Sequence, residues 1–64
     1  MIPVGNNIRR IRQERGLTQW QLSRAVGVTP GKILLVERGE KCSRELLESI
    51  ADALGVDVTK LCGG

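Results

Sequence analysis

The 64-residue chain has no His, no Tyr and two widely separated cysteines, Cys42 and Cys62. That inventory does not assemble a His-based catalytic triad, a zinc site or a Cys-x-x-Cys redox pair, so no enzyme activity, metal or cofactor is expected. The chemistry left to the chain is charge and hydrogen bonding. Nine Lys and Arg against three Asp and Glu give residues 1–44 a balance of +6, whereas one basic and four acidic side chains leave residues 45–64 at −3. A basic lobe of this kind attracts polyanions such as a nucleic-acid backbone or an anionic membrane surface. Solvated helix faces of mixed charge are the plainer alternative.

The candidate side chains must be positioned by short helices. Glycine divides the chain, with Gly16, Gly27, Gly39 and Gly55 each following an amphipathic segment. The first segment, about Asn6 to Arg15, sets Ile8, Ile11 and Val4 on one face and arginines on the other. Thr18 opens the second as an N-cap, with Gln21 placed to return a capping-box bond, and Leu22, Ala25 and Val26 are read as facing inward. Thr29 caps the third, where Pro30 occupies the first helical position and its missing N–H is not needed. Ile33 and Val36 form the buried stripe of that segment.

Ser43 caps a fourth segment, whose Leu46, Leu47, Ile50, Ala51 and Leu54 make the widest apolar face in the chain. Asp57 caps a last turn through Leu61, and Cys62, Gly63 and Gly64 read as a frayed end. The pattern predicts one all-α domain of five helices with an aliphatic core, near the lower size limit for a core to stand without help from association. No apolar run approaches transmembrane length. The opening residues lack the order of a secretory signal, so a cytoplasmic location with reduced cysteines is expected.

The stretch "QWQLSRAVGVTPGKILLVER", Gln19 to Arg38, has the outline of two helices crossing steeply over a tight turn. Leu22, Val26, Val28, Ile33 and Val36 supply a shared core, Ser23 is small where the helices approach, and Gly27 makes the turn. With "IRQERGLTQWQLS", "ILLVERG" and "ESIADALGVDVTKL" in order around it, the chain resembles the phage repressor and Cro type of helix-turn-helix domain, also called the xenobiotic-response-element family. The resemblance covers about residues 8–61. It implies a compact lambda-repressor-like domain in residues 1–64, with a core at about 6–61 and the helix-turn-helix at about 18–38.

The resemblance further implies a DNA-binding, repressor-like regulator that lays its third helix in the major groove of double-stranded DNA, usually as a homodimer on two half-sites. Thr18 and Gln19 then sit at a helix N-terminus suited to phosphate. Arg12 and Glu37 match a structural ion pair, and Arg38, Lys41 and Arg44 follow the third helix where phosphate is commonly touched. Val56, Val58 and Leu61 are the expected dimer contacts.

The base-reading positions depart from the family pattern. They fall on Thr29, Pro30, Gly31, Lys32, Leu34 and Leu35, and within Pro30 to Leu35 Lys32 alone offers a side-chain hydrogen-bond donor. Bidentate Arg–guanine and Gln- or Asn–adenine pairing is not available there. Thymine methyls, close backbone approach at Gly31 and DNA shape remain as means of recognition. Trp20, Leu34 and Leu35 also raise an alternative, a protein-interaction or antitoxin-like module using an apolar patch. A further possibility is that Leu35 or Trp20 folds back onto the core.

Overall fold

The computed structural model describes residues 4–62. Five helices follow in order: α1 (Val4–Glu14), α2 (Gln19–Val26), α3 (Pro30–Glu37), α4 (Arg44–Leu54) and α5 (Val58–Cys62). None is long and apolar enough to cross a membrane. The helix starts are chemically marked. Thr18, Thr29 and Ser43 each hold an extended backbone conformation, and each hydroxyl accepts from the backbone N–H three residues on, satisfying a donor that no helical carbonyl reaches. At Thr18 the reciprocal bond is also made, from its backbone N–H to the Gln21 side chain at 2.9 Å.

Ile8, Ile11, Leu22, Ile33, Val36, Ile50, Ala51, Leu54 and Leu61 form one aliphatic core drawn from all five helices. Val4, Val26, Val28, Leu46 and Leu47 pack against it while half-buried. Two readings of the sequence change. α1 starts at Val4, two residues before the expected boundary, and Ala25 is exposed because α2 turns its Leu22, Ser23 and Val26 side inward. Cys62 belongs to α5, while Gly63 and Gly64 lie outside the described residues.

Helix α1 packs against α3, α4 and α5, and α4 against α1, α2 and α5. Asn7, almost fully buried, donates from Nδ2 to the Leu61 carbonyl at 2.9 Å and so ties α1 to the end of α5. Arg15 donates from Nε to the Leu54 carbonyl at 3.0 Å, meeting an acceptor at the C-terminus of α4 that no helical N–H satisfies. Gly5 permits a close approach of α1 to α3: a Cβ there would lie 2.5 Å from the Val36 carbonyl oxygen and 2.6 Å from that of Glu37. Both neighbours are backbone atoms, so relief requires α1 to move off α3.

Gly5→Ala is therefore expected to destabilise the fold by about 1–3 kcal/mol, the usual cost of overpacking. Gly31→Ala is the control, because its Cβ meets nothing nearer than Thr29 Oγ1 at 3.9 Å. Chemical denaturation of both variants checks this, and equal midpoints would show that the α1–α3 contact yields.

Candidate nucleic-acid interface

The placement of α3 starts at the turn that precedes it. Gly27 adopts φ 87°, a left-handed conformation costly for any residue with a Cβ, and ends α2 there. The N–H groups of Gly27 and Val28 both donate to the Ser23 carbonyl, at 2.8 and 3.0 Å. Ser23 is itself buried between the helices, its hydroxyl donating to the Trp20 carbonyl at 2.7 Å. The chain then passes through Val28 to the Thr29 cap and enters α3 at Pro30.

The far end of α3 is fixed by charge. Glu37 accepts from Arg12 Nε at 2.6 Å on one oxygen and from Arg12 Nη2 at 3.2 Å on the other, a bidentate pair between buried side chains. The remaining Arg12 nitrogen donates to the Leu17 carbonyl at 2.7 Å, and Gln19 Nε2 donates to Glu37 Oε1 at 3.1 Å. One carboxylate thus joins α1, the start of α2 and the end of α3. Among the described residues no buried side-chain nitrogen or oxygen is left without a partner, so the network meets the condition under which buried charge is tolerated.

With Ile33, Val36 and Glu37 turned inward, helical periodicity sends Gly31, Leu35 and Arg38 outward in succession. Leu34 and Leu35 are 39% and 46% exposed, and Trp20 is 56% exposed with the Arg24 guanidinium 4.9 Å above its ring. Neither Leu35 nor Trp20 folds back onto the core. Leu34 borders a shallow groove that also includes Gln19, Arg9 and Arg38. Arg9 and Arg38 continue into an adjoining groove by Asn6 and Gly39. Lys41 is exposed, while Arg44 leans toward Glu48 at 3.4 Å in an exposed pair that contributes little.

Lys32 is half-buried, and its charge is felt at Cys42. Burial pushes the Cys42 thiol above its ordinary range, the Lys32 ammonium opposes that rise, and Cys62 adds to it.

Among the residues expected to act together, Gln19, Leu34, Glu37 and Arg38 line one groove, but their polar atoms are unevenly available. The cap hydroxyls of Thr18 and Thr29 are engaged as acceptors, and the Gln19 amide donates to Glu37. Leu61 is a correction. It is fully buried in the core, since α5 lays it against α1, and is not available as a dimer contact. Val56 and Val58 remain half-buried, lining a shallow groove with Glu45, Glu48, Asp52 and Asp57.

Sequence reading missed Gly5, Asn7 and Arg9. Asn7 and Gly5 depend on contacts distant in sequence, whereas Arg9 carried a usable signal: it falls one helical position before Arg10 on the arginine-rich side of the first helix.

Two short helices held across a tight turn inside a five-helix core define a helix-turn-helix domain. The profile of the helix-turn-helix domain family matches residues 4–61, and the chain belongs to that family. It is 38% identical over 61 residues to an immunity repressor protein of Bacillus phage phi105, covering 94% of this chain and 42% of the repressor. The chain thus spans less than half the length of that relative. Its fold matches the crystal structure of the clp gene regulator ClgR from Corynebacterium glutamicum with a TM-score of 0.89 at 37% identity, covering 92% of this chain and 64% of ClgR. It also matches SinR, a master regulator for biofilm formation solved in complex with DNA, with a TM-score of 0.86 at 28% identity and coverage of 92% and 97%.

Removing either partner of the Arg12–Glu37 pair leaves the other charge buried. Arg12→Ala and Glu37→Ala are each expected to cost about 3–5 kcal/mol, and the double variant less than their sum. A denaturation cycle measures the coupling, and strict additivity would show the two side chains to be independent.

Proposed function

We propose that this domain binds double-stranded DNA as a repressor-like regulator of transcription, setting the outward face of α3 in the major groove of an operator. Binding is the whole mechanism, with no catalytic step and no cofactor. The observation that carries this reading is the outward ridge of Gly31, Leu35 and Arg38, held by the buried Arg12–Glu37–Gln19 network beside the groove that holds Arg9. A recognition element must be rigid and project from its support, and the buried network together with the exposed face of α3 supports that role. Similarity to an immunity repressor and to a regulator solved with DNA supports the same conclusion.

Phosphate is met by Arg38 and Arg9 and by the N-terminus of α2 at Thr18 and Gln19, with Lys41 and Arg44 following α3. The Gln19 side chain positions that helix end more than it reaches outward, because its amide is engaged by Glu37. The reading implies a cytoplasmic protein and the Cro-type, xenobiotic-response-element branch of the family. It also implies a homodimer joined through Val56 and Val58, whose partial burial leaves apolar area to cover. Sedimentation at high micromolar concentration should show that dimer, and Val58→Asp should return a monomer. A wild-type monomer both alone and with DNA would exclude it.

A second reading is favoured by the exposure of Trp20, Leu34 and Leu35, an apolar surface of the kind that seats a protein partner. Salt separates the two. Duplex affinity should fall steeply with salt, with a logarithmic slope of about −0.9 for each phosphate contacted, and Arg38→Ala should weaken every duplex alike while flattening that slope by about one contact. The second reading instead requires a salt-insensitive partner complex that is lost when Leu34 and Leu35 are both replaced by Ala.

A further inference from the structure

We infer that the domain reads its operator through the C5-methyl groups of pyrimidines, with Leu34 and Leu35 as the residues that set sequence preference. This rests on the DNA-binding reading and specifies what is recognised there. The first argument is elimination. Pro30, Gly31, Leu34 and Leu35 have no side-chain hydrogen-bonding groups, the Thr29 hydroxyl caps α3 by accepting from the Lys32 N–H at 3.2 Å and keeps a single O–H donor, and Gln19 is held back at the start of α2 by donating to Glu37 at 3.1 Å. Lys32 is half-buried and is the one side chain from Pro30 to Leu35 with a hydrogen-bond donor, an ammonium that accepts nothing. From Pro30 to Leu35 the face of α3 therefore lacks the Arg, Gln and Asn side chains that read base edges in bidentate fashion, and Arg38, the cap beyond the helix end, is assigned to phosphate.

The second argument is complementarity. In the major groove the group that an apolar side chain recognises is the thymine methyl, which marks both the base pair and the strand that carries it. Leu34 and Leu35 are exposed on the helix face that meets that groove, with Gly31 one turn before Leu35 and only Thr29 Oγ1, at 3.9 Å, near the place a Cβ would take. The missing side chain lets the helix backbone approach the base edges closely enough for leucine to cover a methyl. The groove beside Leu34 contains Arg9 and Arg38, so the apolar contact is placed next to phosphate-binding charge. That charge complementarity selects duplex DNA as the occupant of this apolar face.

The inference has a chemical consequence. A 5-methylcytosine carries its methyl at the same pyrimidine position as thymine and should be accepted where a thymine methyl is read, while uracil should not. The domain is thus sensitive to pyrimidine methylation in its operator.

The test begins with selection from random duplexes and synthesis of the recovered site. Single dT→dU replacements should weaken wild-type binding about fourfold at each methyl that leucine covers, the effect of burying one such group. At those positions a pair with 5-methylcytosine should bind better than unmodified cytosine by a similar factor. Leu34→Ala and Leu35→Ala change exposed positions and should keep the helical circular dichroism. Each should bring the dT to dU ratio to one beneath the side chain removed and leave the salt slope unchanged. Salt-dependent binding with equal affinity for dT and dU at every position of the site would overturn this inference alone. Absence of salt-dependent binding to any duplex would overturn the DNA-binding reading and this inference together.

Discussion

Glu37 is the last residue of α3, where the carbonyl end of the helix already disfavours negative charge, and it is buried. Both effects make an unpaired carboxylate costly at that place. Arg12 answers them by placing its guanidinium against both carboxylate oxygens, and Gln19 adds a third donor. The pair fixes where α3 ends relative to α1 and the start of α2, and every outward side chain of α3 inherits its direction from that placement. The close approach at Gly5 serves the same end sterically, since the backbone of α1 comes against the Val36 and Glu37 carbonyls. Apolar packing alone would hold α3 near the core while allowing it to slide. Directional charge and backbone contact restrict that sliding.

The small size of the domain makes these constraints more important. Its core is aliphatic and drawn from five short helices, the longest of 11 residues, none of which would be stable alone in water. Helix ends are a large share of such a molecule, so the orphan groups at those ends matter in proportion. Thr18, Thr29 and Ser43 satisfy N–H groups at their helix starts, Arg15 reaches the Leu54 carbonyl, and Asn7 reaches that of Leu61. Side chains that look like surface polarity in the sequence thus join the end of one helix to the body of another.

What was legible in the sequence was local. The caps, the Gly27 turn and the apolar stripes of the helices depend on residues within one or two turns, so their spacing carries the information. Asn7 and Leu61 lie 54 positions apart, and nothing near either one announces their contact. The same blindness assigned Leu61 to a dimer surface: its apolar character was evident, but its partner in α1 was not. Ala25 failed for a different reason, because a small residue fits either face of a helix and its type does not determine its direction. At the candidate interface the residue types on α3 were legible. The engagement of Gln19 by Glu37 depended on tertiary placement.

That difference changes the physical account of recognition. A helix with Gln, Asn or Arg on its outward face obtains discrimination from directional hydrogen bonds, and a long side chain can adjust to modest errors in docking. Leucine contact with a methyl is non-directional and falls away within fractions of an ångström once the surfaces separate. A helix of the second kind depends more on the rigidity of its support and on charges that set its register. Here the support is a bidentate buried pair and a backbone contact, and charge flanks the leucines at Arg9 and Arg38. On the proposed DNA-binding reading, the apolar face and the fixed α3 are parts of one arrangement, because a weak, short-range readout discriminates only when the helix that carries it is held still.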